Sequence, residues 1–252
     1  MDKLIIFNCI LLAFIVCGLW LTKKFVKTEK SQAILFATAA VVTILFHYST
    51  LLLKLFINDN AIDYLSGTPN LILPIYPCNV VMWSALIFAC LKHKQSKLGT
   101  FFADYLFWFG IFSTLVGMFA NVDFIKNPTL ADYENVKSIV AHATLLFNVL
   151  LLPIFGYIKM DLKRNFVHIL ISIVMMAVIG AYCNLIFRVL VSEDAAYNVN
   201  SMFLIHSPFD GVAFLTYPII VLITLPIYFA VFAICDVCAH EKGERFYNRM
   251  KK

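Results

Sequence analysis

Leu73-Pro74-Ile75-Tyr76-Pro77-Cys78-Asn79, running on into Val80-Val81-Met82-Trp83-Ser84-Ala85-Leu86-Ile87-Phe88-Ala89-Cys90, reads as a membrane helix with a broken start. Two prolines and an amide interrupt an otherwise apolar run. A chain in lipid must satisfy its own backbone N–H and C=O groups, so an interruption at membrane depth marks a cavity or a site rather than simple anchoring. Cys78 sits in that interruption.

Composition sets the class around this stretch. Of 252 residues, 62% are hydrophobic and 14% charged, more apolar surface than a soluble domain of this length can bury. Crossing the hydrocarbon core takes about 20 apolar residues in a helix. Seven stretches qualify: Leu4–Leu21, Ala33–Ile57, Leu71–Leu91, Phe101–Ala120, Ser138–Ile158, Phe166–Val191 and Gly211–Cys235. Alternating strand patterns are absent, which argues against a β-barrel. The expected fold is an all-α polytopic membrane protein. It has seven transmembrane helices in a single domain over residues 1–252, with a short cytoplasmic tail at 236–252. The first stretch is read as a retained helix, because no small-x-small cleavage site follows it and a bulky Val16 precedes Cys17.

Lysine and arginine orient the chain. One set of loops and the C-terminal tail carry Lys23, Lys24, Lys27, Lys30, Lys92, Lys94, Lys97, Lys159, Lys163, Arg164, Lys242, Arg245, Arg249, Lys251 and Lys252. The other set carries Lys3, Lys126 and Lys137. By the positive-inside rule the N-terminus lies outside and the C-terminus in the cytoplasm. The net charge of +5 then reflects topology and contact with anionic headgroups, with no nucleic acid implied.

Topology places the polar residues. At about 1.5 Å per residue, Cys78 lies roughly 10 Å and His142 roughly 7 Å below the outer ends of their helices. His47, Lys54 and Arg188 occupy outer helix halves, and Asp123, Asn200 and His206 fall in outer loops. Ionisable groups in a bilayer usually face a cavity or a partner, so the shared depth points to one outward-facing polar chamber. Each residue also has a plainer reading. Lys54 and Arg188 can snorkel to the surface, and His47 can be a satisfied core histidine. Free cysteines are ordinary in apolar helices, the reading given to Cys9, Cys17, Cys90 and Cys183. None of the seven cysteines falls in an outer loop, so no disulfide framework is expected.

Cysteine with a histidine at matching depth forms a candidate nucleophile–base pair. Cys78 needs a base or a positive environment to ionise, and His142 is placed to supply one. Cys235-x-x-Cys238 with His240 resembles half a zinc site, but structural zinc takes four ligands and no second pair is evident. No metal and no cofactor are expected. Helix seven lacks a lysine for a retinal Schiff base, and no P-loop or H-E-x-x-H occurs.

The ordered set Leu73, Pro74, Cys78 and Asn79, then Trp108 and Gly110, then Asp123, then His142, then Asn200, Met202, Leu204 and Pro208 resembles the YwaF-like integral membrane family. Its animal relative is transmembrane protein 164. The resemblance runs from helix three to helix seven. It implies a seven-helix fold and a phospholipid acyltransferase with a cysteine acyl intermediate, Cys78 being the nucleophile and His142 its base. The pattern departs at Tyr76, where relatives have His, and at Asn121-Val122, Ser201 and Tyr217.

Two function classes follow. As an acyltransferase or transacylase facing outside, where acyl-CoA is absent, the chain takes its acyl group from a membrane phospholipid. It passes that group to a lysolipid, a glycolipid or a lipoprotein amine. Asn79 and Asn200 are candidate oxyanion donors, Asp123 a candidate orienter of His142, and Tyr76, Met202, His47, Lys54 and Arg188 line the site. As a non-enzymatic transporter or lipid- or solute-binding component, the chain would use Pro74, Pro77, Pro153, Pro218 and Pro226 for broken or moving helices. No inverted repeat and no intramembrane carboxylate is read in support of that class. A multi-pass protein of the cell membrane is expected, and abundant Phe and Lys with few Gly point to a bacterial source.

Overall fold

A computed structural model of the chain describes residues 2–57, 60–120, 124, 127–207 and 212–249. Among these residues the chain is helical, with ten α-helices, three single 3-10 turns and no strand. Six helices are long and apolar enough to cross a membrane. They are α1 (Asp2–Phe25), α2 (Glu29–Phe56), α5 (Lys97–Phe119), α6 (Tyr133–Ile154), α7 (Leu162–Leu190) and α9 (Tyr217–Ala239). Short helices α3 (Ala61–Gly67), α8 (Glu193–Val199) and α10 (Phe246–Arg249) lie between or after them.

The remaining apolar stretch behaves differently from expectation. Instead of a helix over Leu71–Leu91, a 3-10 turn at Pro69–Leu71 leads into irregular chain, and α4 forms only over Pro77–Cys90. Its 14 residues extend about 21 Å, short of the roughly 30 Å hydrocarbon core. Proline is the cause. Pro74 and Pro77 lack N–H donors and disfavour helical backbone in the residues before them. Pro77 can still open α4, because a first-turn N–H has no helical partner. Cys78 therefore stands at the mouth of a helix and not several turns inside one. At the other end, Lys94 Nζ donates to the Ala89 and Leu91 carbonyls at 3.2 and 3.0 Å and closes α4.

The long helices start where side chains can cap them. Thr28, Ser96, Asp132 and Asp161 accept hydrogen bonds from the backbone N–H of Ser31, Gly99, Glu134 and Arg164. Such caps are worth about 1 kcal/mol each.

Two compact units divide the chain. One comprises Met1–Ile72 and Cys78–Ile158, the other Leu73–Pro77 and Lys159–Lys252. In the first unit α6 is the hub, packed against α1, α2 and α5. Lipid tails are as apolar as leucine, so helices in a bilayer adhere through close packing and interhelical hydrogen bonds. Both are present. Asn8 Nδ2 donates to the Met118 carbonyl at 2.7 Å, joining α1 to α5, and Thr43 and Thr144 hydroxyls meet at 3.2 Å between α2 and α6. Phe36 of α2 packs edge-on against Phe88 of α4, with ring centroids 5.3 Å apart. Large apolar side chains such as Phe14, Leu55 and Phe112 face outward, while Thr43, Ser84, Asp104, Thr114 and Asn148 are buried. That distribution inverts the pattern of a soluble protein.

In the second unit α7 packs against α8, α9 and the 201–203 turn. Asp236, fully buried near the end of α9, ties three segments together. Its carboxylate accepts from the Leu162 N–H at 3.0 Å, from the Phe246 N–H at 2.9 Å and from Arg249 at 2.6 Å. Residues after 236, expected as a simple tail, thus fold back onto the helix they follow.

Candidate active site

Cys78 and Asn79 occupy the first turn of α4, directly after Pro77. The backbone N–H groups of Cys78 and Asn79 lie within hydrogen-bond reach of the Cys78 sulfur. The residue is half-buried.

His142 sits in the third turn of α6. Its Nδ1 lies 2.7 Å from the Ser138 carbonyl one turn earlier. A carbonyl only accepts, so Nδ1 carries the proton and the lone pair resides on Nε2, the nitrogen a general base needs. The ring lies against Gly117 of α5. A β-carbon built at position 117 would overlap the His142 Cδ2 and Nε2 atoms.

His47, from α2, reaches the same neighbourhood. Its Nε2 is 3.5 Å from Asn79 Nδ2 and 3.4 Å from the Asn70 carbonyl, at the long limit of hydrogen bonding. His142 and Lys137 are both near enough to act electrostatically on the His47 ring. Tyr48 packs edge-on against that ring at 5.0 Å. So α2 and α4 bring His47 to Asn79, which adjoins Cys78 in the chain, and α6 holds His142 within electrostatic range of His47.

Lys137, expected as a loop charge, is 7% exposed in the first turns of α6. Its ammonium meets Glu134 Oε2 at 2.6 Å, Thr50 Oγ1 at 2.9 Å and Tyr64 OH at 3.0 Å. Three N–H bonds meet three oxygens, which is what allows a lysine to be buried here. Tyr64 OH also donates to Glu134 Oε2 at 3.1 Å, and Thr50 donates to Oε1. Lys54 lies 5.7 Å from the centre of the Tyr64 ring. These residues make a charged rim next to the histidines.

The sequence matches the TMEM164 family over residues 2–236. The chain belongs to the TMEM164 family. No curated protein and no solved structure gives a match. The TMEM164 match extends through α1 and α2, so it takes in His47 as well as Cys78, Asn79 and His142.

Asn200 and Met202, expected at the site, fall in the second unit, in a strained loop. Asn200, Met202 and Phe203 all adopt left-handed backbone, with φ of 43°, 55° and 56°. Asn200 tolerates this and closes the loop. Its Oδ1 accepts from the Ile205 and His206 N–H groups at 3.0 and 3.2 Å, and its Nδ2 donates to the His206 carbonyl at 2.8 Å. Met202 is buried against Gly180, and its N–H donates to the Ile75 carbonyl at 2.9 Å. Tyr76 stacks on Phe203 at 5.9 Å. Arg188 pairs with Glu193 at the exposed end of α7. Asp123 and Pro208 lie outside the described residues.

Four features were missed from sequence. Gly117 had no signal, because its use is to admit a ring from another helix. The Glu134/Lys137 pair at i, i+3 opening an apolar helix was a usable signal. Asp104 overturns the expectation of no intramembrane carboxylate. It is fully buried inside α5, hidden in the sequence by its aromatic surroundings from Phe101 to Phe109. Asp236, buried within α9, was placed in the tail because the apolar run stops at Cys235, whereas the helix continues to Ala239.

Proposed function

We propose that this TMEM164-family chain is a membrane acyltransferase in which Cys78 is the nucleophile and His142 its general base. The observation that carries the reading is the His142 tautomer. Its Nδ1–H is tied to the Ser138 carbonyl, so Nε2 presents a lone pair, in the same unit that opens α4 on Cys78.

The reaction runs in two halves. His142 Nε2 takes the Cys78 thiol proton, and the sulfur attacks an ester carbonyl of a phospholipid. The tetrahedral oxyanion draws on the Asn79 carboxamide, 3.5 Å from His47, and on the N–H groups of the first turn of α4. Collapse expels the lysophospholipid alkoxide, which takes the proton back from His142, and leaves a Cys78 thioester. An acceptor hydroxyl or amine, on a lysolipid, glycolipid or lipoprotein, then gives its proton to His142 and attacks the thioester. The acyl group departs and the Cys78 thiol is restored. Proton transfer of this kind contributes about 10²–10⁴ in rate.

The topology that goes with this reading has seven spans, α4 completing its crossing through the irregular residues before it. The N-terminus is outside, the C-terminus is cytoplasmic, and the membrane is the cell membrane. The site then draws on outer-leaflet phospholipid. The test is thioester trapping on purified protein with acyl-labelled phospholipid. Wild type retains hydroxylamine-sensitive label, Cys78→Ser retains none, and His142→Ala loses at least about a hundred-fold in rate. Equal hydroxylamine-sensitive label on Cys78→Ser sinks the mechanism.

Asp104 gives a second reading its one specific support. A buried carboxylate inside a span is the group an ion-coupled transporter needs. Solute flux in proteoliposomes that survives Cys78→Ala and is lost in Asp104→Asn would establish it.

A further inference from the structure

The lipid-facing side of α1 carries a groove that ends in lysines. Leu12, Ala13, Val16, Cys17 and Trp20 line an open, apolar groove of about 580 Å³. Their spacing of four places them along one stripe of the helix, about 12 Å long. Trp20 closes the stripe and is 59% exposed. One turn further, Lys24 holds its Nζ 5.2 Å from the Trp20 ring centre and 5.3 Å from that of Phe25. Lys23 shares the last turn of α1, and Lys27 and Lys30 follow in the connection and at the start of α2, where Glu29 is the one acid between residues 20 and 30. Lys27 is engaged with the Lys23 carbonyl, and Lys23 and Lys24, three and four residues after Trp20, fall by helical spacing at the same end of the stripe.

We propose that this stripe binds one anionic phospholipid, with an acyl chain along Leu12–Trp20 and the headgroup phosphate at Lys23 and Lys24. An apolar groove in a bilayer accepts any acyl chain, so selectivity must come from its polar end. There the two aromatic rings hold the Lys24 ammonium at the edge of the groove, by cation–π attraction, instead of letting it swing away into water. Two lysines near a phosphate correspond to a preference of roughly ten- to thirty-fold for an anionic over a zwitterionic headgroup. The site is separate from Cys78 and His142, and the proposal holds whether or not Cys78 carries an acyl group.

The experiment uses the full chain in phosphatidylcholine vesicles doped with brominated-chain lipid, which quenches a tryptophan it touches. Subtracting the signal of Trp20→Phe isolates Trp20 from Trp83 and Trp108. Brominated phosphatidylglycerol should quench Trp20 at a mole fraction at least about five-fold lower than brominated phosphatidylcholine does, with the preference weakening in high salt. The Lys23→Gln/Lys24→Gln variant should quench equally with both. Equal quenching in the parent protein overturns the proposal, as does a preference that persists in the glutamine variant. Cys17-to-Cys17 cross-linking between copies, with Trp20 shielded from both lipids, assigns the stripe to a second copy of the chain and overturns it too.

Discussion

The His142 imidazole lies against Gly117 so closely that a β-carbon at position 117 would occupy the ring's own space. The glycine thus sets how far the His142 ring sits from α5. Gly117→Ala must push the ring outward or shift α5 against α6. Overpacking of this kind costs about 1–3 kcal/mol, and a displacement of about 1 Å at a catalytic group costs on the order of a hundred-fold in rate. We expect Gly117→Ala to fold with a modestly lowered Tm and to lose at least about ten-fold in thioester formation. Unchanged kinetics would show that the position of His142 does not matter to the reaction.

The Lys137–Glu134 pair is expected to show strong coupling. Lys137→Met leaves Glu134 facing Thr50 and Tyr64 without its cation. Glu134 is partly exposed, so the loss should be about 2–3 kcal/mol, below the 3–5 kcal/mol of a fully buried pair. The double variant Lys137→Met/Glu134→Gln should regain part of it. Unfolding in detergent of the two singles and the double gives the coupling energy, and strict additivity would refute a linked pair.

Asn200 combines a left-handed backbone with three side-chain hydrogen bonds to its own loop. Asn200→Ala loses both, for about 2–4 kcal/mol. Asn200→Gly keeps the backbone freedom and loses only the bonds, so it should be milder by about 1 kcal/mol. If glycine and alanine lower Tm equally, left-handed strain is not a factor at this position.

Asp236 should be the most sensitive residue of the second unit. Asp236→Asn keeps one acceptor oxygen but presents an amide to two backbone N–H donors and Arg249. A loss of about 2–4 kcal/mol is expected. Arg249→Gln, at a partly exposed partner, should cost less but expose residues 240–249 to protease. Protection of that segment in both variants would argue that Asp236 does not hold it.

Much of the fold was legible because bilayer physics writes it into composition. Six of the seven apolar stretches are long helices, shifted by a few residues where Thr28, Ser96, Asp132 and Asp161 cap them. In the Leu71–Leu91 stretch the broken start was legible from Pro74 and Pro77, but hydropathy overstated the helix, which is confined to Pro77–Cys90. Asp104 was overlooked because averaging hydropathy over a span conceals a single carboxylate, and Asp236 because the apolar run ends one residue before it while the helix does not. The histidines were visible as polar residues at similar depth. The nitrogen that carries the His142 proton, and the glycine that seats its ring, were not visible.

By itself the sequence determined the membrane class, the all-helical architecture and the break before Cys78. Each of these follows from local rules: apolar length, backbone satisfaction in lipid and the missing N–H of proline. Tertiary structure alone decided that His47, Asn79 and His142 gather in one unit, that Lys137 is buried with three oxygens, and that Gly117 makes room for a ring. Apart from the Glu134–Lys137 pair, those relationships join residues 25 or more positions apart, and the packing of α2, α3, α4, α5 and α6 brings them near one another.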